Sequence, residues 1–137
     1  MDAAALQRHE FNRGFDWQPI RGPLRRLTRA QADSYDEHGY CIVENAIEAD
    51  ELARLVAEID PFEEKTEAFL ATQVDGRAFI NRAGEITFSA HLVTRSKRLE
   101  EFVASATLRD IAHDVLGEDV RLYWDQAVYK KPGTKST

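Results

Sequence analysis

One amide stands out among the side chains that could do chemistry. From Val120 to Lys131 the sequence alternates as a strand requires, and one face reads Val120, Leu122, Trp124, Gln126, Val128 and Lys130. Gln126 sits in the middle of that otherwise apolar face, which is expected to point inward. An amide buried there without a partner costs roughly 1–3 kcal/mol. It must therefore bond either a ligand carboxylate or carbonyl, or a neighbouring side chain or water. His91 lies between the hairpin and the next helix, open to a ligand contact or to a partly exposed structural role. His113 and Asp114 are adjacent in a helical stretch, point different ways and make no dyad. His38 precedes Gly39, where a cation suits the end of a helix. Cys41 has no base or metal-ligand spacing around it and reads as a structural thiol in a short strand. Arg21, Arg25, Arg26 and Arg29 form a basic cluster, open to an anionic partner or to pairing with the acidic block at 41–75.

The elements that must position these residues follow from local signals. Residues 1–26 read as an irregular arm, broken by Gly14, Pro19, Gly22 and Pro23, with Phe11, Phe15 and Trp17 available to pin it. Thr28 and Gln31 fit a capping box that starts a helix, and Gly39 ends it. Tyr40 to Val43 is expected as a short strand. Leu52, Leu55, Val56 and Ile59 predict a helix over about 50–60, stopped by Pro61, with a further helical turn or two at 63–70. Two β-like runs, 77–81 and 85–89, flank Arg82-Ala83-Gly84 as a hairpin. Ser96 precedes a helix with Leu99, Phe102 and Val103. A second helix, about 107–116, carries Leu108, Ile111, Ala112, Val115 and Leu116 and stops at Gly117. The strand from Val120 ends at Pro132-Gly133.

Length and charge set the bounds. The chain has 137 residues, 18 basic and 24 acidic side chains, and a net charge of −6. Residues 41–75 alone carry net −8. That argues against a general nucleic-acid binder, which needs a basic excess. No apolar run reaches the ~20 residues of a membrane span. A single cysteine fits a reducing, cytoplasmic setting.

The run Leu122-Tyr123-Trp124-Asp125-Gln126-Ala127-Val128-Tyr129-Lys130-Lys131-Pro132-Gly133 resembles the phytanoyl-CoA dioxygenase family. So do Leu27-Thr28 with Tyr35 to Ile47, and Ile111 to Gly117 leading into Val120. The resemblance implies a non-haem iron(II), 2-oxoglutarate-dependent dioxygenase on a double-stranded β-helix, or jelly roll. Such an enzyme hydroxylates a small organic substrate and converts 2-oxoglutarate to succinate and carbon dioxide. It implies two histidines and a carboxylate on the iron, two of them in a His-x-Asp motif shortly after the Lys-Pro-Gly turn. No His-x-Asp or His-x-Glu occurs here: Phe11, Tyr40, Val93 and Val115 stand two positions after the four histidines. No catalytic or metal residue is therefore assigned. Gln126 matches a position beside 2-oxoglutarate and is assigned to it, with Trp124, Val128 and His91 lining the pocket. At Phe88-Ser89, where some members use a lysine for the cosubstrate, this chain has none.

The expected fold is α+β: the N-terminal helices and first strands of a jelly-roll oxygenase, incomplete, with residues 1–26 as the arm and 27–137 as the first part of the domain. About four strands are legible where a jelly roll needs about eight. The expected function is that of an N-terminal fragment of the dioxygenase, inactive alone and holding neither iron nor 2-oxoglutarate. The alternative is a non-catalytic α+β interaction module, a homodimer through its last strand. Expected partners are a small-molecule substrate in the intact parent, with neither nucleic acid nor membrane, and self-association through that strand.

Overall fold

A computed structural model describes residues 9–14 and 16–133. Phe15 lies outside them. Helix α1 spans Arg29–His38 and begins as its sequence demands. The Thr28 hydroxyl accepts from the Gln31 N–H at 3.2 Å, and the Gln31 side chain accepts from the Thr28 N–H at 2.9 Å. Gly39 closes the helix at φ +77°, a conformation in which a side chain would be strained. The expected strand at Tyr40–Val43 does not form, so Cys41 lies in irregular backbone, half-buried. The carbonyls of Tyr40 and Ile42 are taken instead by the Ser34 hydroxyl and the Gln31 amide.

Helix α2 runs unbroken from Ala49 to Ala71 with Pro61 inside it. The proline removes one backbone donor, yet it does not stop the helix. The missing bond would have gone to the carbonyl of Ala57, an exposed residue. Meanwhile one stripe continues on both sides of Pro61: Leu55 and Ile59 before it, Phe62, Glu63, Thr66 and Leu70 after it. Tertiary burial of that stripe outweighs the local breaker.

The sheet has four antiparallel strands in the order β1-β2-β3-β4: Arg77–Ala78, Asn81–Arg82, Ile86–Ala90 and Gln126–Lys130. The run expected as one strand at 77–81 turns back on itself at Phe79-Ile80, with Phe79 at φ +53°. The next turn centres on Gly84 at φ +67°, whose N–H donates to the Glu67 carboxylate of α2 at 3.1 Å. Helices α3 (Lys97–Val103) and α4 (Ala106–Leu116) fill the connection from β3 to β4. Ser96 caps α3, and Gly117 follows α4 at φ +92°. β4 starts at Gln126, not Val120. Its partner β3 ends at Ala90, so residues 120–125 have no strand to pair with.

One face of the β3–β4 ladder, Thr87 and Ser89 with Ala127 and Tyr129, lies against α2. Leu55, Leu92 and Leu99 form the buried cluster, supported by Ile47, Ile59, Phe62, Val93, Phe102 and Ala127. Cutting Leu55 to alanine would cost about 2–5 kcal/mol.

The arm is held by two carboxylates. Asp36, in the last turn of α1, accepts from the Trp17 indole at 2.9 Å and from the Ile20 N–H. Asp114, in the last turn of α4, accepts from the N–H groups of Arg25, Arg26 and Leu27 at 2.8 Å each. Trp17 thus pins the arm as expected, whereas Phe11 is exposed. The arginines do not pair with the acidic block. Arg25 pairs with Glu118, and Arg29 donates to the carbonyls of Ile20 and Gly22. His113 and Asp114 diverge as expected, the imidazole bonding Gly117 at 2.8 Å.

Burial works against ionisation of Asp114. The donors on Arg25, Leu27 and Arg26 and the charge of Arg25 outweigh it, so the carboxyl lies below its ordinary value. A depressed acid contributes stability that is full above its unfolded pKa and is lost as pH falls through the folded one. Asp114→Ala should lower stability by about 1–3 kcal/mol and flatten the acid limb of the stability–pH curve. Urea unfolding of both proteins across the acid range measures it. An unchanged acid limb would refute the clasp.

Candidate functional site: the open face of strands β3 and β4

The ladder has a second face, exposed along β4 and half-buried along β3. Ile86, Phe88 and Ala90 on β3 stand beside Lys130, Val128 and Gln126 on β4. The expected parity holds within β4, for Gln126, Val128 and Lys130, but does not extend to residues 120–125, which are not strand, and the expected burial is not found. Trp124 is 49% exposed, Val128 45% and Leu122 56%. α2 packs on the opposite face, so the chain's own core never reaches this one.

Three of the four assigned residues meet at one end of this face. The imidazole of His91 sits edge-on to the Trp124 indole, with ring centroids 4.4 Å apart. The Trp124 indole N–H donates to the Gln126 side-chain oxygen at 3.1 Å. That occupies the amide's acceptor and leaves its NH₂ without an acceptor among the described residues. Val128, the fourth, lies one step along the same face, opposite Phe88. The arrangement offers an aromatic ring, an amide donor and an imidazole on an apolar floor. Those are groups suited to a small carboxylate with an apolar body.

A residue not singled out from sequence holds this corner together. Asp125 accepts from the N–H groups of Leu92 and Val93 at 2.5 and 3.1 Å, and its backbone carbonyl accepts from the His91 N–H at 3.0 Å. The clasp bends the chain just past β3 and holds His91 at φ +56°. That conformation is uncommon without glycine. Behind the sheet, polar ties lock β3 and β4 to α2. The Tyr129 hydroxyl donates to Asp60 at 2.6 Å, and Thr66 and Ser89 share a bond of 3.1 Å. Lys131 pairs with the buried Glu63. That bond raises the lysine's pKa above its ordinary value. Burial, the Asp60 hydrogen bond and the charges of Asp60 and Glu63 push Tyr129 up to about 12.

A cleft of about 600 Å³ lies elsewhere, between the arm and the end of α4, and none of the four assigned residues lines it. Among the described residues no group of three or more His, Cys, Asp or Glu side chains is placed to hold a metal ion. The side chains described do not by themselves fit an iron centre. No helix among them is long and apolar enough to cross a membrane.

A family model described as phytanoyl-CoA dioxygenase (PhyH) matches residues 35–137. The chain belongs to the phytanoyl-CoA dioxygenase family. No curated protein and no solved structure matches it. Phytanoyl-CoA dioxygenases are generally iron(II)- and 2-oxoglutarate-dependent oxygenases on a jelly-roll fold. The structure described here is a mixed α+β arrangement with a partial sheet. The match includes every strand and the whole open face.

Asp125→Ala should free the 91–93 segment and separate His91 from Trp124. The expected readout is a change in Trp124 fluorescence in a Trp17→Phe background, with a stability loss of about 1–3 kcal/mol. An unaltered emission spectrum would contradict the clasp. For Tyr129 the phenol's raised pKa means that stability is full below the unfolded value of 10.0 and falls as pH rises toward about 12. Absorbance titration should therefore show one of the four tyrosines ionising late, and Asp60→Asn should bring it forward.

Proposed function

We propose that this chain forms one wall of an iron(II)/2-oxoglutarate dioxygenase site, that of an enzyme hydroxylating a small organic substrate as 2-oxoglutarate becomes succinate and carbon dioxide. The observation that carries this reading is the open β3–β4 face, with Trp124, Gln126 and His91 gathered at one end. An apolar face this exposed marks a binding surface. In a jelly roll it would be roofed by the facing sheet.

The roles follow from the chemistry. The Gln126 NH₂ donates to a cosubstrate carboxylate. Trp124 fixes the amide's orientation by taking its oxygen, so the donor is presented without a rotamer search. Val128 and Phe88 supply the apolar floor under the cosubstrate's methylenes. His91, held by Asp125, closes the end of the pocket. The iron ligands and a cationic anchor for the distal carboxylate would come from polypeptide outside residues 1–137, and the chain as it stands is inactive.

Two experiments test this. The purified 137-residue chain, supplied with iron(II) and 2-oxoglutarate, should release no succinate above background. Reading the gene beyond the codon for Thr137, in all frames, should reveal a His-x-Asp shortly after the Lys-Pro-Gly turn. The protein extended through it should turn over 2-oxoglutarate, with Gln126→Ala raising the KM for that cosubstrate roughly tenfold, the loss of one charge-assisted hydrogen bond. Turnover by the short chain, or an extended enzyme indifferent to Gln126→Ala, would overturn the reading.

A further inference from the structure

We propose that β4 is also a self-pairing edge, and that a second copy of this chain docks antiparallel on it with Val128 at the two-fold axis. The proposal goes beyond the oxygenase reading and does not depend on it.

The geometry starts from which way the backbone groups point. The His91 N–H donates to the Asp125 carbonyl, and the Lys131 N–H donates to the Glu85 carbonyl. Those two pairs share the register of the ladder, so Asp125, Ala127, Tyr129 and Lys131 direct their backbone groups at β3. By alternation, Gln126, Val128 and Lys130 direct theirs the other way. β4 ends the sheet order, and no described residue bonds those backbone groups. Between Gln126 and Lys130 the edge carries no proline or bulge, and its one blunting charge is Lys130 at the end of the strand.

The edge is also self-complementary. With Val128 opposite its own copy, each strand donates the N–H groups of Gln126, Val128 and Lys130 and accepts the same number in return. Lys130 then stands beside the partner's Gln126, not beside another lysine. On the side facing α2, Tyr129 stands beside the partner's Ala127, large against small. The helices do not collide. Three strand spacings place the two β3 strands about 14 Å apart, and packed helices need about 8–10 Å. The paired sheets would keep these faces side by side and open.

Sedimentation equilibrium at micromolar concentration tests this on the chain as it is. The expected mass is twice 15.6 kDa, and salt should tighten the dimer because each copy carries −6. Val128→Pro deletes an outward N–H and no bond to β3, so it should yield a monomer that still melts cooperatively. Charge supplies a second arm that does not risk the fold. Gln126→Lys sets like charges beside Lys130 and should weaken the dimer by about threefold or more; Gln126→Glu should tighten it by a similar factor. A wild-type monomer, a Val128→Pro dimer of unchanged affinity, or the two Gln126 variants ranking in the opposite order or equally would each overturn the proposal.

Discussion

The β3–β4 ladder is the constraint on which the rest of the molecule depends. Its register gives each residue of the last strand two assignments at once, one for the side chain and one for the backbone. Ala127 and Tyr129 turn their side chains to α2 and their amides to β3. Gln126, Val128 and Lys130 turn their side chains to the open face and their amides to the open edge. A slip of one residue would exchange these sets. Gln126 would then go under α2, and Tyr129 would lose Asp60. The polar ties behind the sheet therefore decide what stands in front of it.

Those ties are carboxylates more than apolar contacts. The buried apolar cluster is small, with Leu55, Leu92 and Leu99 at its centre. Asp60, Glu63, Asp125, Asp36 and Asp114 each reach across to a separate element. In the acidic middle segment Asp60, Glu63 and Glu67 fasten the sheet, while Glu51 and Glu58 tie α2 to Arg98 and Ser96. Hydrogen bonds to charged groups contribute roughly 1.5–3 kcal/mol apiece, so a few of them rival the burial of a leucine.

What was legible in the sequence was what local chemistry decides. Thr28 with Gln31 and Gly39 fixed both ends of α1 because the partners lie within one turn. The alternation of the last strand gave its two faces correctly from Gln126 to Lys130, and failed from Val120 to Asp125 where no neighbouring strand pairs the backbone. Which face is covered was not legible, because parity says nothing about where α2 will lie. Pro61 misled, since its missing donor is a local cost and the stripe from Leu55 to Leu70 is a tertiary gain. The Tyr40–Val43 strand misled because β propensity has no force without a neighbour to bond. Asp125 went unnoticed because its partners are more than thirty residues away. Asp36 and Asp114 did leave a signal. Each sits in the last turn of a helix, where the dipole disfavours an anion, and an acid kept there implies an outside donor.

The Asp114 clasp also imposes an order in time. Leu27 and the aspartate that holds it are separated by 87 positions in the chain. At ribosomal speeds of ~5–20 residues per second, the arm emerges several seconds before its anchor exists. Until then Arg25, Arg26 and Leu27 have no carboxylate to bond, and α1 must stand without its flank secured. The segment from Arg25 to Leu27 is finished only after the whole of α4 has been made.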